Sequence, residues 1–105
     1  MTKIFAHRGA SAYAPENTME AFALAVKQGA DGIELDVQMT KDGEVVVIHD
    51  ETIDRVSDGK GAVRDYTLEE LRKFSFSNHM ESYKDAAIPT LKEVLEFLKP
   101  TKLEL

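Results

Sequence analysis

The hydrophobic positions along the chain change their spacing several times, and each change marks an element. Ile4, Phe5 and Ala6 form a short apolar run that reads as a buried strand ending at His7, with Gly9 opening a turn. Met19, Phe22, Ala23 and Val26 then recur at helical spacing. Asn17 stands where an N-cap is expected, Glu20 three residues on completes a capping box, and Gly29 stops the helix. From Ile33 to Met39 the period falls to two, with Ile33, Leu35, Val37 and Met39 on one face and Glu34, Asp36 and Gln38 on the other. Asp42-Gly43 is a turn signal, and Val45 to Ile48 is a fully apolar strand. The connection is too short for a parallel crossover, which needs about a dozen residues or more, so these two strands form an antiparallel hairpin.

The second half of the chain is patterned more loosely. Residues 51–66 are polar, contain Gly59 and Gly61, and read as a loop. Thr67 with Glu70 caps a short helix bearing Leu68, Leu71 and Phe74, and residues 75–88 are irregular. Thr90 with Glu93 caps another helix whose Leu91, Val94, Leu95 and Leu98 form an apolar stripe before Pro100. Lys102 to Leu105 reads as a final strand, with Glu104 on the face opposite Leu103 and Leu105. The expected order is strand, helix, hairpin, two helices, strand, without internal repeat or linker.

Composition narrows the class. The 105 residues suffice for one domain with a single core, and 43% hydrophobic with 30% charged residues is a globular balance. Thirteen basic against nineteen acidic residues give a net charge of −6 and no basic run, which argues against nucleic acid or an anionic membrane surface as partner. No apolar stretch approaches the roughly 20 residues of a membrane span. The absence of cysteine removes disulfides and thiolate metal sites, and fits a cytoplasmic location.

Five groups cluster at strand ends: His7, Arg8, Glu34, Asp36 and His49. Taken singly, each has a plain structural reading. Carboxylates at alternate positions are ordinary on a solvated strand face, a lone histidine is more often a hydrogen-bonded core residue, and Arg8 alone reads as a surface cation. His79 has no supporting neighbours and reads as a surface residue. Taken together, Glu34 and Asp36 suit a hard divalent cation such as Mg²⁺ or Ca²⁺, and Glu104 would help complete an oxygen shell. His7 and His49 suit a general base and acid, since imidazoles ordinarily titrate near ~6.5. Arg8 suits a phosphate oxygen. A two-residue loop at Asp42-Gly43 would set Asp36 opposite His49; a three-residue loop with a bulge at Gly43 would set His49 on the Leu35 face instead. A metal, an arginine and two imidazoles suit phosphodiester cleavage better than glycoside or peptide cleavage.

His7-Arg8-Gly9-Ala10, Pro15-Glu16-Asn17-Thr18, Gly29-Ala30-Asp31, Glu34-Leu35-Asp36-Val37, Thr40-Lys41-Asp42-Gly43, His49-Asp50, Ile88-Pro89-Thr90-Leu91 and Leu103-Glu104-Leu105 together resemble the glycerophosphodiester phosphodiesterase family. The resemblance implies an α/β TIM-type barrel similar to that of the phosphatidylinositol-specific phospholipases. It also implies a Mg²⁺ or Ca²⁺ ion on Glu34, Asp36 and Glu104, acid–base catalysis by His7 and His49, and substrate phosphate on Arg8. The implied reaction is hydrolysis of a glycerophosphodiester to glycerol 3-phosphate and an alcohol. Such barrels run to about 250 residues. Residues 1–105 are therefore expected to form the N-terminal half of the domain, ending at the fourth predicted strand. A half-barrel has open strand edges, from which a homodimer is expected. Two other functions stay open: a related lipid phosphodiesterase, and a non-catalytic, self-associating half-barrel that binds only metal or phosphate.

Overall fold

The computed structural model describes residues 5–9, 14–30 and 32–99, with residues 5–7 described by their backbone. The expected strand at 102–105, and Glu104 with it, lies outside the described residues. Strand β1 (Phe5–His7) leads through helix α1 (Met19–Lys27) to β2 (Gly32–Glu34), and the two strands pair in parallel with His7 beside Glu34. This is a βαβ unit, the building block of parallel α/β folds. Strands β3 (Val37–Met39) and β4 (Val45–Val47) form the expected antiparallel hairpin, and α2 (Leu68–Leu71) and α3 (Leu91–Leu98) follow.

The apolar alternation from Ile33 to Met39 is not one strand. The ladder breaks at Leu35 and Asp36: β2 belongs to the parallel pair, β3 to the hairpin. The expected common apolar face is lost with it. Ile33 is buried, whereas Val37 and Met39 are 43% and 58% exposed. The hairpin loop has three residues, because Val37 pairs with Val47 and the Thr40 amide donates to the Glu44 carbonyl at 2.9 Å. Gly43 closes it at φ +83°, a conformation in which a Cβ is strained. The register therefore extrapolates to His49 opposite Leu35 and Ile48 opposite Asp36, where the Ile48 amide donates to the Asp36 carbonyl at 2.9 Å.

Strand β4 is buried on both faces and divides the core. Val47 joins Phe22 and Ala25 of α1, Ile33 of β2, and Val94 and Leu98 of α3. Val46 and Ile48 face the other way, onto Ile53, Val56, Val63, Leu71, Phe76 and Ile88. Residues 51–66 are thus a packed segment rather than a polar loop. Thr52 bridges Ala62, the Ile53 amide donates to Gly61, and a 3-10 turn at Val63–Asp65 follows. The segment's apolar side chains, few but spaced three apart at Ile53 and Val56, fill the space over β4.

Both expected capping boxes of the second half form, Thr67 with Glu70 and Thr90 with Glu93. The cap of α1 is displaced by one residue. Thr18, not Asn17, accepts from the Ala21 amide, while Asn17 adopts φ +54° and turns its side chain elsewhere. Asparagine tolerates the left-handed region better than threonine, whose branched Cβ suits the extended cap position.

Candidate active site

The turn after β1 is built to present Arg8. Arg8 and Gly9 both have positive φ, 55° and 78°, so the chain reverses sharply where the strand ends. A Cβ on Gly9 would lie 2.8 Å from the Ala21 backbone, so only glycine lets α1 press against this turn. Backbone hydrogen bonds pin it from both sides: the Arg8 amide donates to the Glu34 carbonyl at 2.6 Å, and the Asn17 amide donates to the Arg8 carbonyl at 2.8 Å.

Side chains then connect the groups in series. The Arg8 guanidinium meets Asp36 Oδ2 at 3.2 Å through Nε and Glu16 Oε2 at 3.3 Å through Nη1. The Nε contact is an ion pair without hydrogen-bond alignment, which leaves that buried N–H without a hydrogen bond among the described residues. Asn17 Nδ2 donates to the same Asp36 oxygen at 3.3 Å, and its Oδ1, in a residue only 3% exposed, has no hydrogen-bond partner among the described residues. Glu16 is also gripped by Arg55, whose Nη1 and Nη2 donate to its two oxygens at 2.6 and 3.0 Å. Arg55 reaches Asp50 too, at 2.9 Å from Nε and 3.2 Å from Nη2, and Asp50 Oδ1 lies 2.8 Å from His49 Nδ1. The Arg55 and His49 contacts hold the Asp50 carboxyl down at about 2, against an ordinary 3.8. Arg55 is in turn held firmly protonated by Glu16 and Asp50.

Asp36, Arg8 and His49 are therefore joined through Glu16, Arg55 and Asp50. Asp36 and His49 are not the cross-strand pair that a two-residue loop would make. Gln38 Nε2 donates to the His49 carbonyl at 3.2 Å, which ties β3 to the chain two residues beyond β4. His7 is set beside Glu34 by the β1–β2 register; its side chain and all of Glu104 lie outside the described residues. Among the described residues, no three His, Cys, Asp or Glu side chains gather closely enough to hold a metal ion. His79 is exposed, as expected of a surface residue.

Four residues of this network carried no chemical role in the sequence reading, in which Asn17 stood only as a helix cap. Glu16, Asn17 and Asp50 sat inside quoted motifs, and Asp50 could have been found from its adjacency to His49. Arg55 had no signal, because its partner Glu16 is 39 positions away.

The model of the glycerophosphoryl diester phosphodiesterase family matches residues 7–105. The chain belongs to this family. It is 56% identical over 99 residues to a glycerophosphodiester phosphodiesterase of Bacillus altitudinis, covering 93% of this chain and 40% of that protein. It is 54% identical over 98 residues to one from Caldanaerobacter subterraneus, again covering 40% of the relative and 92% of this chain. A crystal structure of the glycerophosphodiester phosphodiesterase from Agrobacterium tumefaciens superposes with TM-score 0.91 at 46% identity, over 95% of this chain and 44% of that one. A phosphodiesterase of Oleispira antarctica, solved with the product sn-glycerol-3-phosphate, gives 0.92 at 36% identity over 98% of this chain and 42% of that one. The fold is the family's TIM-type barrel in part, and the chain spans about 40% of the length of its curated relatives. No helix among the described residues is long and apolar enough to cross a membrane.

Proposed function

We propose that the chain carries part of an active site for hydrolysis of glycerophosphodiesters to glycerol 3-phosphate and an alcohol, as the N-terminal half of the barrel domain. The observation that supports this best is the junction of Arg8 with Asp36 at 3.2 Å, on a turn hydrogen-bonded to Glu34. It unites the His7-Arg8 motif with the Glu34-x-Asp36 motif, 26 positions downstream, at the end of one parallel strand pair.

Arg8 is the group for the substrate's phosphate. Its planar fork matches the oxygens of a phosphodiester, and the carboxylates of Glu16 and Asp36 hold it in place beforehand. His49, whose side chain is 46% exposed, bonds Asp50 through Nδ1, which leaves Nε2 to take or give a proton. His7 is the second imidazole. One imidazole removes the proton of the attacking water as its oxygen bonds phosphorus. The other protonates the departing alcohol oxygen as its bond to phosphorus breaks. Glu34, Asp36 and Glu104 would hold a divalent cation, Mg²⁺ or Ca²⁺, and Asn17 Oδ1 beside Asp36, unpartnered among the described residues, adds to the hard-oxygen character such an ion requires. When bound, such an ion neutralises phosphate charge and acidifies a coordinated hydroxyl or water.

The reaction belongs in the cytoplasm on this reading, and two copies associate through open strand edges. The exposed Val37 and Met39 on β3 support that association. A monomer by light scattering at micromolar concentration would remove it. Turnover of glycerophosphocholine with Mg²⁺ or Ca²⁺ tests the activity, and His7→Ala and His49→Ala should each lower it on the order of 10²–10⁴. Near-normal turnover in either variant makes that imidazole structural. Cleavage of phosphoinositide or sphingolipid head groups in its place would favour a related lipid phosphodiesterase.

A further inference from the structure

Arg55 makes the densest set of polar contacts among the described residues, and none of the expected chemistry uses it. Its guanidinium spends Nη1 and Nη2 on Glu16 and Nε with Nη2 on Asp50, four hydrogen bonds between 2.6 and 3.2 Å. Both recipients stand one contact away from a group proposed to act on substrate. Glu16 accepts from Arg8, and Asp50 lies against His49 Nδ1. The Glu16 side chain is 9% exposed, so its charge has little water to balance it, and the two guanidiniums do so. Arg55 sits on the packed segment over β4, anchored two residues earlier by fully buried Ile53 and one residue later by Val56. The fork is therefore carried by a fixed backbone and is not a wandering surface side chain.

We propose that Arg55 is a positioning residue that sets Arg8 and His49 at once, by clasping Glu16 with one edge of its guanidinium and Asp50 with the other. Asp50, ionised and held in place, can only accept from His49. It thereby fixes the Nδ1–H tautomer and keeps Nε2 available as a lone pair. Glu16, held by both its oxygens, fixes the turn of the Arg8 guanidinium. A lysine at 55 would restore the charge without the fork, because an ammonium is a point donor that cannot span two carboxylates in fixed directions. This role rests on the reading of Arg8 and His49 given above, and the test is chosen to separate the two.

The tautomer of His49 is read from the ¹⁵N shifts of its ring in the unliganded protein, and the affinity for glycerol 3-phosphate from a titration followed by NMR. The wild type should show His49 as the Nδ1–H form. Arg55→Gln should shift it toward the Nε2–H form that an unconstrained histidine side chain favours and weaken glycerol 3-phosphate by roughly 10–100-fold, the usual cost of losing a group that orients another. Arg55→Lys, which keeps the charge and guards against a variant that fails to fold, should also lose the tautomer preference while recovering part of the affinity. An unchanged Nδ1–H form in both variants, or affinity within twofold of wild type in Arg55→Gln, overturns the proposal. Neither readout requires turnover. A tautomer that responds to Arg55 in a protein unable to hydrolyse glycerophosphodiesters keeps the positioning role and rejects the activity. Full turnover with an unresponsive tautomer does the reverse.

Discussion

Replacing Ile53 with alanine probes whether the segment over β4 is core or loop. Ile53 is fully buried and packs in the cluster formed by Val46, Ile48, Val56, Val63, Leu71, Phe76 and Ile88. Its backbone is engaged as well: the amide donates to Gly61 at 2.9 Å, and the carbonyl accepts from the Ser57 amide at 3.0 Å and hydroxyl at 2.7 Å. Those bonds survive the substitution, so the loss is that of three side-chain carbons and the space they leave. Each buried carbon is worth about 0.8 kcal/mol, or roughly 2.4 kcal/mol for three, and incomplete collapse of the cavity carries the total to ~3–4 kcal/mol. Ile53→Val removes one carbon and should cost ~1 kcal/mol. Leu95→Ala, on α3 at 41% exposure, is the control and should stay below ~1.5 kcal/mol. Urea unfolding of the four proteins, with equal slopes, reads these values directly. A loss below ~1 kcal/mol for Ile53→Ala would mean that residues 51–66 do not form part of the folded core. The anchoring of Arg55 would fall with it.

The low Asp50 carboxyl has a pH signature. Its folded value, about 2, lies below the ordinary 3.8, so its contribution is complete above about pH 4 and is lost as pH falls through 2. Solvent reaches the pair, and the contribution is therefore ~1 kcal/mol rather than the ~2.4 that the full shift would give. Asp50→Asn should be less stable than wild type by about that amount at pH 6, with the gap closing as pH falls through 2; an equal gap at pH 6 and pH 2 refutes the linkage. Asp36→Asn should weaken Mg²⁺ or Ca²⁺ binding by calorimetry far more than Asp65→Asn, and equal effects would remove Asp36 from the cation's shell. Gly43→Ala meets no atom within 4 Å but keeps φ +83°, so thermal unfolding should show a loss of ~1 kcal/mol from backbone strain alone. A neutral result would mean that the turn relaxes.

What the sequence disclosed follows the range of the interactions involved. Thr67 with Glu70 and Thr90 with Glu93 are contacts three residues apart, and both capping boxes form where the pattern put them. Gly29 ends α1 at positive φ for an equally local reason. Periodicity reports which side chains share a face, not which strand they pair with, so one alternating run from Ile33 to Met39 concealed two strands in different sheets. In Asn17-Thr18 two good capping residues stand side by side, and composition alone could not choose between them. The polar look of 51–66 hid Ile53, Val56 and Val63, which are too sparse to give a continuous stripe yet enough to cover β4. The site divides in the same way. His7, Arg8, Glu34, Asp36 and His49 could be proposed from the sequence because their residue types name a chemistry. Arg55 was silent, because an ion pair across 39 residues leaves no local trace.

The interruption at Leu35 and Asp36 sends the two carboxylates of the Glu34-x-Asp36 pair to different strand pairs, and Arg8 spans them: its amide bonds the Glu34 carbonyl and its guanidinium pairs with Asp36. In a continuous strand, residues two apart move as one rigid unit, and any slip that re-aims one re-aims the other. Here Glu34 is fixed by the parallel pair, whereas Asp36 precedes β3 and is held from two directions, by the Ile48 amide beyond the hairpin and by Arg8 and Asn17. A change of loop length at Lys41-Asp42-Gly43 would thus set the hairpin's pull on Asp36 against the hold of Arg8 and Asn17. Sequence drift in a surface turn, some distance from either carboxylate, acquires a handle on the gap between them. Under the proposed cation role, that gap could then change without substitution at either carboxylate.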